Sequence, residues 1–346
     1  IGFQSGELGQ NSFSVAMGYQ SGQSTQGSQS VAIGHESGRV SQGSQSVAIG
    51  FQSGELGQNS FSVAMGYQAG QNSQRDNTVA VGSSAGRSNQ GIQGVAVGIN
   101  AGSNNQGQQA TAVGSGAGQN SQRIYATAVG NHAGQYNQGS RAVAVGVVAG
   151  QSAQGIAATA LGYHAGRTSQ GADATAVGTY AGYNRQGERA VGVGFEAGEI
   201  IQSPFAIAVG AFAGQTSQGE RAVAVGYNTA RYNQGSRAVA LASYAGISNQ
   251  GSYAIAVGYG AGHTSQHANS IALNSTSFFL NTDADSAFFV KPLRNTGGTA
   301  MYYDTSSGEI SYSTSDDRLK VKEVCIKDAT TTLMKLSPQS YFKKFK

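Results

Sequence analysis

Five histidines and one cysteine are the residues best able to hold a metal or act as nucleophiles. His35, His132, His164, His263 and His267 are spread along 346 residues without a ligand spacing, which reads as solvent-exposed variation. Cys325 stands alone, so neither a disulfide nor a thiolate cluster forms within one chain. No paired carboxylates are set out for acid–base work. The recurring Gly-x-x-x-Gly pattern belongs to turns and not to a nucleotide loop. No cofactor, no metal and no external substrate are expected. The group that does recur is an amide. Gln stands at every sixteenth position from Gln10 to Gln266, in seventeen registers that include Gln42, Gln90, Gln138 and Gln218. Stacked about 4.8 Å apart, such side chains would form an amide ladder. Facing outward, the row would offer amides to a glycan or to ice. Structural capping of a turn is the preferred reading.

The element that positions these glutamines is a short apolar stretch. Ser30-Val31-Ala32-Ile33-Gly34 returns as Val47-Ala48-Ile49-Gly50, Val79-Ala80-Val81-Gly82 and Val143-Ala144-Val145-Gly146. The closing Gly falls every sixteen residues from Gly2 to position 274, replaced only by Ala242 and Asn274. A period this strict is the mark of a solenoid, whose repeats stack on one another. With the Gly as position zero, positions −3 and −1 carry Val, Ile, Leu, Met or Thr, and −4, −2 and 0 are usually small. This is a period-two strand with one β-branched face and one small face. A coil of sixteen residues covers only one face with its own return strand, so the other face requires a second protein surface. The Val/Ile face is expected inside each coil, and the Ala/Gly face against neighbouring chains. The small-Gly pair at +3 and +4, as in Ala69-Gly70, suits a tight turn. Positions +1, +2 and +5 to +7 vary and are expected as outward loops. Scattered Tyr on these ridges could stack on sugars.

Charged residues are only 11% of the chain, and its 52 Gly come with just 3 Pro, which excludes collagen. The net charge of +4 resides in residues 316–346, so the repeat body is neutral and is no footprint for nucleic acid. No apolar run is long enough for a spanning helix, and no membrane insertion is expected. The chain starts at Ile1 with neither Met nor signal peptide. Residues 1–20 are identical to residues 49–68, so the start is read as an edge inside a longer array.

The Ser30-Val31-Ala32-Ile33-Gly34-His35-Glu36-Ser37 unit resembles the head repeats of trimeric autotransporter adhesins. The resemblance covers roughly residues 1–274. The unit of sixteen residues is a little longer than that family's usual one. It implies a left-handed parallel β-roll in which three chains pack side by side, an all-β homotrimeric solenoid.

After Asn274 the pattern changes. Residues 275–315 turn aromatic, as in Phe278-Phe279-Leu280, Phe288-Phe289-Val290 and Met301-Tyr302-Tyr303, and are read as a short β neck, with a small separate receptor-binding cap as the alternative. Ser315-Asp316-Asp317 suits a helix start, with Ser as cap and acids in the first turn. With Phe289-Val290-Lys291-Pro292-Leu293-Arg294 before it and Leu333-Met334-Lys335-Leu336-Ser337-Pro338 after it, this segment resembles the entry to the intramolecular chaperone of phage tail spikes and endosialidases. Residues 316–346 would be the truncated start of that domain. The resemblance implies trimerisation and self-cleavage, with Ser315 as nucleophile and Lys320 as base. A lysine serves so only where burial or nearby charge depresses its pKa, and Asp316 and Asp317 would oppose that.

These readings lead to a structural trimeric fibre or spike of a virus or phage, on the virion surface and acting in host attachment. Its partners would be two further copies, other virion components, and a host-surface glycan or protein receptor. The alternatives are the head of a bacterial cell-surface adhesin and, less favoured, an ice- or surface-binding solenoid.

Overall fold

The computed structural model describes residues 1–293 and 301–312. The chain divides into two units, Ile1–Pro292 and Leu293–Lys346. The first is an all-β parallel solenoid with a sixteen-residue coil. Each Val-Ala-Ile-type strand pairs in parallel with its copy one coil on, as Val31 with Val47, Ala32 with Ala48 and Ile33 with Ile49. The stack runs from Val15–Met17 to Ile271–Asn274 and continues into Phe288–Lys291. Around the rest of each coil the backbone bonds likewise to the next one, as Gly150 N donates to Ala165 O at 2.9 Å.

A second parallel sheet faces the first. Its strands fall at +6 to +8, from Leu8–Gln10 to Tyr232–Gln234, fifteen in all. The expectation of loops at +5 to +7 is therefore corrected. These are irregular strands. Only their first and third residues pair, as Ser24 with Val40 and Gln26 with Gln42, while the middle residue takes a left-handed backbone, φ +55° at Thr25 and +57° at Ser41.

The faces of the first sheet are the reverse of those expected. Ala144 and its copies at −2 are fully buried inside the isolated chain, and so are Ala142 at −4 and Ala149 at +3. The Val, Ile and Met side chains at −3 and −1 point outward and are half-buried or exposed. The cause is thickness. Two sheets joined by such short turns leave room between them for Ala and Ser, and the largest fully buried side chains are all the glutamines at +8.

Gly at position zero is required by its surroundings. At Gly34 φ is +129°, and an added Cβ would lie 2.4 Å from the carbonyl oxygen of Gly50. Where Ala242 replaces it, φ falls to +88° and Thr229 Oγ1 donates to the Ala242 carbonyl at 2.7 Å. Asn274 closes the regular series. Its side-chain nitrogen donates to the carbonyls of Tyr259 and Phe278, each at 2.6 Å. Pairing of Ile271 with Phe288 then lengthens the coil by one residue. Leu280 is buried there and Phe289 packs against the same cluster, so large side chains cover the end of the alanine column. In the second unit, Met301–Tyr303 and Ile310–Tyr312 form an antiparallel hairpin.

Candidate binding edge

The glutamines at +8 are interior, which overturns the outward glycan- or ice-facing row and bears out the ladder. Gln186 shows the pattern. Its Nε2 donates to Thr175 O at 2.7 Å, to Ala190 O at 3.4 Å and to Gln202 Oε1 at 3.1 Å. The amide thus ties the second sheet to backbone carbonyls across the coil and to the next rung. From Gln154 to Gln266 the amide-to-amide bonds are continuous. Before Gln154 they come in short runs. Gln58, Gln90 and Gln138 keep two backbone carbonyls and make no amide bond onward. Gln74, Gln106 and Gln154, which begin the next runs, have unpartnered Oε1 atoms. The buried amides are structural. Gly34, Gly50, Gly82 and Gly146 are equally so, each set against the backbone of the next rung. Ser315 and Lys320 lie outside the described residues.

The side chains available to a ligand stand on the turn between the two sheets, at +1, +2 and +5. Read along the chain they vary. Read at intervals of sixteen they form rows. In the first five coils, Phe3, Tyr19, His35, Phe51 and Tyr67 at +1 stack face to face, with centroids 4.9 to 5.6 Å apart and planes within 22°. One rung of a parallel sheet is about 4.8 Å, which is stacking distance. Polar rows border the stack. Gln52 Nε2 donates to Glu36, Gln68 to Gln52, and Arg39 to Glu55 at 2.7 Å.

In the later coils the rings alternate between +1 and +2. Phe195, Tyr227 and Tyr259 at +1 are each more than a third exposed. Phe212 and Tyr244 at +2 lie between them, half-buried. Successive centroids are 5.2, 6.1, 5.6 and 5.7 Å apart with planes 72° to 82° apart, an edge-to-face succession. The +1 residues of the intervening coils are Ala211 and Ser243, which carry no ring. The row is a comb, with aromatic teeth and small gaps. Phe279 closes it, stacked on His263 at 3.8 Å, and burial lowers the His263 pKa.

Beside the comb, Gln215 Nε2 donates to Glu196 at 2.6 Å and to Glu199 at 2.8 Å. Arg231 Nε donates to Gln215 Oε1 at 2.6 Å, and its guanidinium lies 4.6 Å from the Phe212 ring centre. Burial and the neighbouring Glu199 raise the Glu196 pKa. Between the two tracts, Tyr163, His164, Tyr180 and Tyr183 cluster around Arg167. His164 is held below its ordinary pKa by burial and then by Arg167.

Of the histidines, His35 joins the stack, His164 the Tyr cluster and His263 the comb's end. Among the described residues no group of three His, Cys, Asp or Glu is placed to hold a metal. The opposite turn, at +10 and +11, carries a smaller row in which Phe205 lies between Arg189 and Arg221, at 5.6 and 5.3 Å from its ring centre. The scattered Tyr of the sequence are therefore ordered rows. The signal was present in the sixteen-residue offset, and reading for constant residues passes over it. No protein-family model, no curated protein and no solved structure matches this chain.

Proposed function

We propose that this chain is the shaft or head of a homotrimeric structural fibre that acts in attachment at a surface. One observation carries the assembly. From Val15 to Leu273, every residue at −3 and −1 is Val, Ile, Leu, Met or Thr. These two largely aliphatic columns stand on the outside of the first sheet, with Met17, Met65 and Leu161 each at least 40% exposed. The outward residues of the other sheet are mostly Ser, Asn and Thr. An apolar patch of this extent on one side alone marks a protein surface to be covered. The covering surface must repeat at the same rung spacing over the whole length, and another copy of this chain does so. The need for shelter argued from the sequence is retained, with the aliphatic face taking the place of the small one.

The resemblance of the repeats supports three copies and a left-handed coil. The resemblance around Ser315 supports a virus or phage fibre, with a C-terminal clamp that sets the register. Such a clamp answers a real difficulty, because a slip of one near-identical coil costs little locally. Light scattering in native buffer tests the assembly. A mass of about three times 35.2 kDa is expected, and Val145→Asp with Val177→Asp should yield monomers. A wild-type monomer overturns the reading. For the clamp, Ser315→Ala should leave a longer chain on a denaturing gel; equal lengths remove self-cleavage.

A further inference from the structure

We propose that the comb Phe195–Tyr227–Tyr259 binds an extended neutral glycan along the solenoid axis. The inference deepens the attachment reading and rests on it, because it names what the rod attaches to.

The teeth are placed for a repeating ligand. Exposed rings recur every 32 residues, two rungs, which is about 9.6 Å. That spacing is too wide for ring-on-ring stacking and suits sugar units taken two at a time. The half-buried Phe212 and Tyr244 rings bridge neighbouring teeth edge to face, so in each such pair one ring turns its face away from its neighbour, while Tyr259 at the end is stacked on Phe279 at 5.6 Å. A pyranose ring is flat and apolar on one side and stacks on such platforms, while its hydroxyls need directed polar partners. Those partners border the comb. Glu196, Glu199, Gln215 and Arg231 are linked by bonds of 2.6 to 2.8 Å and so are held in fixed positions.

Charge argues against the other stacking ligand. Single-stranded nucleic acid also stacks on aromatic rows, but it needs a positive track for its phosphates. Here two carboxylates meet one guanidinium. The stacked tract is the internal control. There the inner rings Tyr19, His35 and Phe51 have neighbours on both faces, so their faces are already occupied.

The test titrates the full chain with cellohexaose, chitohexaose, laminarihexaose and maltohexaose, each with its disaccharide, by calorimetry. At least one hexasaccharide is expected to bind, and at least tenfold tighter than its disaccharide. Tyr227→Ala should weaken it tenfold or more, while Tyr19→Ala leaves it unchanged; circular dichroism and light scattering confirm that both variants fold and assemble as the wild type does. No binding by any hexasaccharide, or binding that Tyr227→Ala leaves intact, overturns the proposal. Tighter binding of a thymidine oligonucleotide does so as well. A trimer that binds no glycan removes this inference and keeps the assembly. A monomer that binds glycan does the reverse.

Discussion

The first five coils and the coils from Phe195 onward share one backbone and differ in what they display. One aromatic per rung gives the stack from Phe3 to Tyr67, and one per two rungs at +1 gives the comb from Phe195 to Tyr259. The interior differs too. In the early half the buried amides bond in short runs, and from Gln154 they bond without a break. A solenoid fixes where side chains meet and leaves open which ones do. The rung spacing turns one ring per coil into a self-satisfied column. Rings that alternate between +1 and +2 meet edge to face at the same spacing, so their faces do not close on one another as in the column. Surface chemistry on this fold is thus set by a count along the row, independent of the coil itself.

Removing one amide from each half tests the interior difference and should give the largest effect. Gln202→Leu removes bonds to Val191 O, Ala206 O and Gln218, leaves the buried Gln218 Oε1 without its amide donor, and takes one of three acceptors from Gln186. Lost bonds and stranded buried groups cost about 1–3 kcal/mol each site, so a destabilisation of about 3 kcal/mol is expected in urea. Gln90→Leu loses two carbonyl bonds and the incoming bond from Gln74 but no onward bond, and should cost about 1 kcal/mol less. Equal losses would show that the continuous ladder adds nothing to the backbone ties.

The aromatic rows come next. Phe51→Ala breaks two face-to-face contacts, at 5.0 and 5.3 Å. At about 0.5–1.5 kcal/mol for each pair, it should lower stability by about 2 kcal/mol. Ala211→Tyr works in the opposite direction. It places a ring at +1 between Phe195 and Tyr227, where Phe212 now bridges them edge to face, and turns that part of the comb into a stack. Stability should rise by about 1 kcal/mol while hexasaccharide binding is lost. Retained binding in that variant would separate the glycan site from the gaps.

A smaller gain is expected in the second sheet. Its middle residue has a left-handed backbone in every regular coil, filled in the early half by Thr25, Ser41 and Ser73 and later by Ile201 at φ +58°. A β-branched residue pays a steric cost there that Asn does not. Ile201→Asn should raise stability by about 1 kcal/mol in urea, and no gain would mean that the exposed Ile finds compensation from a neighbour.

The same left-handed residue explains what the sequence hid. The period, the Val-Ala-Ile strand, the closing Gly and the stacked Gln were all legible, because each is a constant type at a constant register. The second sheet was not. It offers one constant residue, Gln, and its middle position breaks strand alternation, so it reads as a loop. The inside and outside of the first strand were inverted for a different reason. Apolar size argues for Val inside, but the gap between two sheets closed by sixteen residues admits only small side chains, mostly Ala, beside Gln. The aromatic edge was seen as isolated Tyr and Phe, since its order lies between rungs and not along them.

The polar rows beside the two tracts supply the finest contrast. In the early half Glu55 is nearly buried against Arg39 at 2.7 Å, so Glu55→Gln should cost about 1 kcal/mol at pH 7 through loss of that charged pair. In the later half Glu196 lies near a second acid, Glu199, with Gln215 between them. Burial and Glu199 raise its pKa above the ordinary carboxylate value. The folded chain therefore disfavours the charged form. The stability tied to Glu196 is complete below the unfolded-state pKa and declines as pH rises through the raised value. Glu196→Gln stays neutral at every pH and its side-chain oxygen still accepts from Gln215. Stability at pH 7 should increase by roughly a few tenths of a kcal/mol, and the loss between pH 4 and pH 7 should shrink. Urea midpoints across that range read the change. A decrease at pH 7, as for Glu55→Gln, would mean that Arg231 compensates Glu196 more strongly than Glu199 repels it, and the two polar rows would then be alike.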